Sequence, residues 1–353
     1  MRQTKKHRWL ACSVVPLWFL AGVAPAQGQC RTTVPTYSSF LHLATWPDDE
    51  SPGWHEEAQG LAHDEDHWYI MQREAIWRIP VTHNLSQDAS SFPHRSIYSC
   101  GLGSGYDHFG DGDCYQVPGG GPRYVIVPVE GSGQQGLIAF ISADDTLSCL
   151  GAVPLHTNQG ASAGWAAVDP QGLLYSSGED PASNLLYVYT VNWSELVSQP
   201  PSLTYVGTIT LLDENANPIA FSDAYPQAGE FSPDGSLFYH LYAASGHEAV
   251  NEGINVFETA NWKRIKRSSQ HDMPFLLNWS YFYRDEPEGL TFWDLTDCGA
   301  PGIGGELHVL VLNNNPAIPD GVYIRHYADS ICVDGTFTGQ SDWGKPHAPF
   351  KTV

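Results

Sequence analysis

The sequence predicts an all-β fold built from repeated small sheets. Short segments in which apolar and polar residues alternate recur along the chain, bounded by Gly, Pro, Asn and Asp; such segments are typical of strands. The apolar period of about 3.6 residues that marks amphipathic helices is almost absent. One phrase also returns five times, in which polar residues precede a glycine and an apolar strand begins. Its glycines are Gly60, Gly110, Gly164, Gly229 and Gly289, so the period is about 50 to 65 residues, close to the range of repeat units.

The predicted strands fall into five groups in chain order. The first four groups have four strands each: 60–63, 68–72, 75–81 and 96–100; 113–117, 123–129, 136–142 and 147–155; 165–169, 173–177, 185–191 and 203–211; 229–232, 237–243, 253–259 and 262–267. The fifth has three strands, at 289–293, 306–312 and 322–327, and lacks a fourth. A spare strand at residues 38–44 can supply it. Pairing of the two chain ends would close the array and remove its exposed edges.

Two segments carry a turn between successive strands of a group. They are Phe231 to Tyr239 and Val168 to Tyr175, with Pro-Asp-Gly and Pro-Gln-Gly at the turn. Proline presets φ for such a turn and glycine supplies the positive φ that reverses the strand. Both segments resemble the phrase that joins the inner and second strands in β-propeller repeat proteins. The resemblance extends over about residues 38 to 330 and is to an architecture, without a particular family. It implies one β-propeller domain over residues 27–353 with five four-stranded blades, or six if residues 317–337 form an irregular blade.

The first 26 residues have the pattern of a signal peptide. Four basic residues precede an apolar run at 10–23, and Ala24-Pro25-Ala26 follows. Removing this segment takes four of the 17 basic residues and none of the 39 acids, which leaves a net charge of −26 on 327 residues. Such a charge argues against a nucleic-acid partner. We therefore expect an exported, soluble monomer in an extracellular or periplasmic setting, with no membrane insertion.

The cysteines predict disulfides. Six remain after the signal segment: Cys30, Cys100, Cys114, Cys149, Cys298 and Cys332. An even number in an exported chain indicates a disulfide framework, for which fifteen pairings exist. The pairing that we favour joins Cys100 to Cys114, Cys298 to Cys332, and Cys30 to Cys149.

The polar half of the repeated phrase predicts a binding site. In a propeller, the residues that precede the five glycines converge at one rim of a central channel. The predicted ligand-binding residues are Gln59, His108, Trp165, Tyr225, Gln227, Glu286 and Glu288. Acidic, amide and aromatic side chains together suggest a saccharide or another extracellular small molecule. For the aromatic residues, packing between blades is the alternative.

A dense acidic segment lies in the second repeat, from Tyr106 to Asp113. Its carboxylates Asp107, Asp111 and Asp113, with two intervening glycines, offer the oxygen ligands that Ca²⁺ uses. The alternative is a turn that uses Asp and Gly for its backbone geometry.

Two further functions stay open at this point. Glu130 and Glu179 follow the second strands of their groups and should occupy equivalent positions, where paired carboxylates could act as acid and base in hydrolysis, since glycoside hydrolysis needs two. Glu288 at the rim is a further catalytic candidate, and a hydrolase that uses a metal at the same rim is the alternative. Whether the chain is an enzyme is left undecided. The third possibility is a structural or docking propeller that uses its outer strands, with the basic segment 263–267 as the contact.

Overall fold

The computed structural model describes residues 40–50, 52–160, 163–177, 184–221, 224–244, 253–268, 285–295, 300–301, 303–313 and 321–328. Its strands form five separate antiparallel sheets. The inner strands of neighbouring sheets contact one another in a closed ring. The protein is therefore a five-bladed β-propeller, as the repeated phrase predicts.

The blades follow one another along the chain. Blade one contains β2 (Ala58–His63), β3 (His67–Gln72), β4 (Ala75–Pro80) and β5 (His94–Ser96). In blade two, β6 (His108–Phe109) and β7 (Asp113–Gln116) share the inner position, followed by β8 (Arg123–Glu130), β9 (Leu137–Ser142) and β10 (Cys149–Pro154). Blade three contains β11 (Ala166–Val168), β12 (Leu173–Ser176), β13 (Leu185–Val191) and β14 (Leu203–Thr210). Blade four contains β15 (Ala224–Phe231), β16 (Leu237–Ala244), β17 (Gly253–Glu258) and β18 (Lys263–Arg267).

Blade five is shared between the two ends of the chain. It contains β19 (Asp285–Phe292), β20 (Leu307–Asn313) and β21 (Gly321–Ala328), and its outer strand is β1 (Leu41–Glu50), antiparallel to β21. The His326 ring Nε2 donates to the carbonyl oxygen of Trp46 at 2.9 Å, which adds a side-chain bond to this closure. The predicted closing strand is confirmed. The six-bladed alternative is excluded because residues 321–328, inside the segment it needed, form the third strand of blade five.

The hydrophobic core consists of five wedges, one between each pair of neighbouring blades. Trp54, Trp68 and Trp293 pack between blades five and one. Trp165 is fully buried between blades three and four, where its ring packs against Phe238. Most large aromatic residues therefore fill the gaps between sheets, as blade packing requires.

The glycines of the repeated phrase mark where inner strands meet. A Cβ on Gly289 would lie 2.7 Å from the backbone nitrogen of Leu61, and one on Gly164 would lie 2.6 Å from the carbonyl oxygen of Pro226. These distances are shorter than a carbon atom tolerates, and the atoms that it would meet belong to the backbone of the next blade. Glycine is therefore required by the close approach of the blades.

Asp111 lies at the centre of the ring and is fully buried. Its backbone pairs with blade three through the carbonyl oxygen of Gly164 (3.0 Å) and the amide of Ala166 (2.9 Å). Its carboxylate accepts the amide of Leu61 from blade one at 2.9 Å. The nearby amides of Gly229 in blade four and Leu290 in blade five lower the pKa of this carboxyl group against the larger effect of burial. Residues of all four other blades thus lie close to Asp111.

Two sequence predictions need correction. Cys100 forms a disulfide with Cys149, across a sequence separation of 49, and Cys114 is a free thiol. The favoured pairings of Cys100 with Cys114 and of Cys30 with Cys149 are therefore wrong; Cys30, Cys298 and Cys332 lie outside the described residues. The basic segment does form the outer strand β18, but Arg264 and Lys266 are buried, because alternate residues of a strand face opposite sides. It is not a continuous basic surface.

The predicted signal segment lies outside the described residues. Among those that are described, no helix has both the length and the apolar character that a membrane span needs.

Candidate functional site

Three of the inner strands carry a β-bulge at corresponding places. In β2 the pairing with β3 skips Gln59, in β15 the pairing with β16 skips Gln227, and in β19 the pairing with β20 skips Glu288. A bulged residue has no partner in the ladder, and the local twist redirects its side chain. The three bulged residues all face one cavity at the end of the channel where these inner strands begin.

The cavity has a volume of about 220 Å³. Four carboxylates, two side-chain amides, one imidazole and two glycines line it: Glu57, Gln59, His108, Gly110, Glu130, Gly164, Gln227, Glu286 and Glu288. Every blade contributes at least one of these residues. The five repeats thus converge here on one polar site, and the side chains that they supply differ in chemistry.

One side of the cavity is built by blades one and two. His108 Nε2 and Gln59 Oε1 are 2.7 Å apart, so the ring nitrogen donates to the amide oxygen. Glu130 is the cross-strand partner of His108, and neighbouring side chains of such a pair point to the same face. Glu57 has a positive φ of 49°, which is uncommon outside glycine. Strained backbone of this kind is concentrated at functional sites.

The other side is built by blades four and five. The Gln227 amide nitrogen donates to Glu288 Oε2 at 3.1 Å and lies 3.5 Å from Glu286 Oε1. Burial raises the pKa of Glu288 well above its usual range, and the nearby carboxylates of Glu286, Asp111 and Glu57 raise it further. Glu288 therefore holds its proton to a higher pH than an exposed glutamate does. The Gln227 amide bridges blades four and five through Glu288.

Three more acids lie buried along the axis next to this site. Asp111, Asp113 and Glu230 are each at most 9% exposed. Burial raises the pKa of Asp113 to about 6 and holds the pKa of Asp111 well above its usual range. The pKa of Glu230 is raised by burial and then by Asp113 and Asp111. These three acids are thus close enough to one another to affect each other's pKa.

Of the predicted ligand-binding residues, the structure brings five together in the cavity: Gln59, His108, Gln227, Glu286 and Glu288. Two aromatic residues are not in its lining. Trp165 is fully buried between blades, and Tyr225 is half-buried outside the lining. The site is thus acidic and amide-rich, without the aromatic surface that the sequence suggested.

The three residues predicted to bind Ca²⁺ do not meet at one point. Asp107 lies at the surface, where its Oδ2 is 3.3 Å from Arg73 Nη2. Asp113 accepts the amide of Val168 at 2.7 Å, whereas Asp111 accepts that of Leu61. Within the described ranges, no group of three His, Cys, Asp or Glu side chains is arranged to hold a metal ion.

Among the predicted catalytic candidates, Glu130 and Glu288 line the cavity and Glu179 lies outside the described residues. Sequence reasoning missed Glu230. Its signal was an acid directly after Gly229: of the residues that follow the five glycines, Asp111 and Glu230 are acids, whereas Leu61, Trp165 and Leu290 are apolar.

The sequence matches no protein-family model and no curated protein. Solved structures that it resembles include CoXyl43, a GH43 β-xylosidase/α-arabinofuranosidase from a compost metagenome in complex with xylotriose, in a calcium-free form. That likeness has 10% identity and a TM-score of 0.47, covering 79% of this chain and 94% of that one. A GH43_1 enzyme from Xanthomonas citri is 9% identical, with a TM-score of 0.45 over 82% and 90% of the two chains. The propeller domain of Cps50 (Swd1) from Myceliophteria thermophila is 8% identical, with a TM-score of 0.33 over 76% and 83%. Likenesses at this level concern architecture, and the ligands of those proteins do not carry over.

Proposed function

We propose that this protein is an exported binding protein that holds one saccharide unit in the cavity at the channel mouth. The observation that carries the proposal is the set of bulges that turns Gln59, Gln227 and Glu288 into the same space. Amide and carboxylate groups with fixed orientations suit the donor and acceptor pattern of sugar hydroxyls. A volume of about 220 Å³ is below the range of drug-sized pockets and suits a ligand of about one ring.

Export is part of the same proposal. The pattern of residues 1–26 and the disulfide between Cys100 and Cys149 both agree with an oxidising compartment.

Calorimetric titration of the purified chain with a panel of neutral and amino monosaccharides tests the proposed binding. We expect saturable binding by at least one sugar and loss of about tenfold or more in affinity in the Gln227→Leu variant, since a buried hydrogen bond to a ligand is removed. The matched control is Gln199→Leu, because Gln199 is exposed and distant from the cavity lining. Absence of binding across the whole panel would reject the proposal.

Hydrolysis of a glycosidic bond is the second candidate, favoured by the raised pKa of Glu288. Glu288 can act as the acid, and Glu130 lies on blade two, which is not a neighbour of blade five in the ring. Both residues line the same cavity, and an acid and its partner carboxylate must share such a space at a controlled separation.

Aryl glycosides test this candidate. An enzyme would lose about a hundredfold or more of its turnover in Glu288→Gln while still binding the sugar, whereas a binding protein shows no turnover in the wild type either.

A further inference from the structure

The charge of the cavity restricts its ligand more narrowly than its size does. Four of its nine lining residues are glutamates, and none of the described lining residues is Lys or Arg. Arg73, which is half-exposed beside the site, pairs with Glu57 at 3.8 Å and Asp107 at 3.3 Å, so its charge is already matched. A carboxylate or phosphate on the ligand would enter without a counterion and would be repelled.

The glutamates also come from different blades. Glu57, Glu130 and Glu286 belong to blades one, two and five, so their negative potential converges on the middle of the cavity. A compact cation in the cavity would meet carboxylate oxygens on more than one side.

The bulges are the observation that links these acids to a ligand rather than to the fold. Glu288 and Gln227 occupy bulge positions, where no ladder pairing determines the side chain. One bulge presents an acid, Glu288, beside a second acid, Glu286. The carboxylate of Glu286 helps to raise the pKa of Glu288, and a ligand ammonium group placed beside both would offset this repulsion.

We propose that the cavity selects an amine-bearing sugar over the neutral sugar of the same ring. The inference rests on the proposed saccharide function and specifies its ligand class. The ammonium group donates to Glu286 and to the carboxylates that face it, while the Gln59 and Gln227 amides bind ring hydroxyls. N-acetylation removes the charge and so removes the preference.

The test is calorimetric titration of the whole chain, in EDTA and at a pH where sugar amines are protonated. The ligands are glucosamine and galactosamine, the parent glucose and galactose, and N-acetylglucosamine. Charge-assisted hydrogen bonds predict that at least one amine binds about ten- to a hundredfold more tightly than its neutral parent. The preference should shrink about tenfold in Glu286→Gln and stay unchanged in Glu258→Gln, whose side chain is exposed on blade four.

The outcomes separate the two proposals. Equal affinity for amine and parent sugar overturns the ligand class and leaves saccharide binding intact, whereas no binding by any sugar rejects saccharide binding itself. A measurement on the wild type does not depend on whether a variant folds. As the pH rises through the pKa of the sugar's own amine, the affinity for the amino sugar must fall more steeply than the affinity for the neutral sugar. Parallel pH profiles would overturn the inference.

Discussion

Replacement of Asp111 by alanine should destabilise the propeller, because this buried side chain joins blades one and two next to the inner strands of the others. Its carboxylate accepts the buried amide of Leu61 at 2.9 Å. In Asp111→Ala this amide loses its acceptor. An unsatisfied buried amide costs about 1–3 kcal/mol, and relief of burying an acid offsets part of that. We expect a loss of about 1–3 kcal/mol in the free energy of unfolding.

Urea denaturation followed by circular dichroism measures this loss. Asp107→Ala is the matched control, because that acid lies four residues away and only forms a surface pair with Arg73; it should cost less than about 1 kcal/mol. Asp111→Asn keeps an acceptor oxygen for the Leu61 amide, so its loss should lie between the two. A cost for Asp111→Ala equal to that of the control would refute the role of Asp111 in joining blades one and two.

Three further changes test the fold and its electrostatics. Burial raises the pKa of Asp113 from 3.8 to about 6, so the folded state binds this proton more tightly and the free energy of unfolding falls as pH rises from about 4 to 6. Asp113→Asn should remove about 2 kcal/mol of that decrease. The same decrease in the variant and in the wild type, measured by urea titration at several pH values, would contradict this. Cys149→Ser opens the loop that the disulfide closes, which has a sequence separation of 49, and should lower the free energy of unfolding by about 4 kcal/mol through chain entropy. The control is the reduced wild type, which should unfold at the same thermal midpoint as the variant. Gly289→Ala places a Cβ 2.7 Å from the Leu61 nitrogen and should cost more than about 2 kcal/mol, whereas Gly103→Ala, with open space around it, should cost less than about 1 kcal/mol; similar denaturation midpoints would contradict the close approach of the blades.

The fold could be predicted because its determinants are local. The turn at Pro233-Asp234-Gly235 depends on backbone preferences of those residues, and Gly235 indeed has a φ of 71°. The missing fourth strand of blade five could be inferred by counting strands. The starts of β15 and β19 were predicted about four to five residues late, because the polar residues there interrupt the apolar pattern while their backbones still pair.

The predictions that were wrong concern contacts between residues that are far apart in the sequence. Cys100 ends a short 3-10 turn of blade one and Cys149 begins an outer strand of blade two, so their pairing follows from how two blades dock. Trp165 was expected at the rim, but its ring lies against Gly229 of the next blade, where a Cβ would be 2.6 Å from the ring. That space exists only because a glycine stands in another repeat. No local pattern around Trp165 reveals it.

The cavity shows why the repeat identifies the fold more readily than the function. The glycine of the repeated phrase recurs because each blade must approach its neighbour closely, and this constraint acts equally on Gly164 and Gly289. A bulged residue is released from the ladder, so the fold does not dictate its chemistry. Gln59, Gln227 and Glu288 therefore differ from one another without disturbing the ring. Because these three positions are free of the packing constraint, their amide and acid groups are the part of the repeat that ligand binding can select.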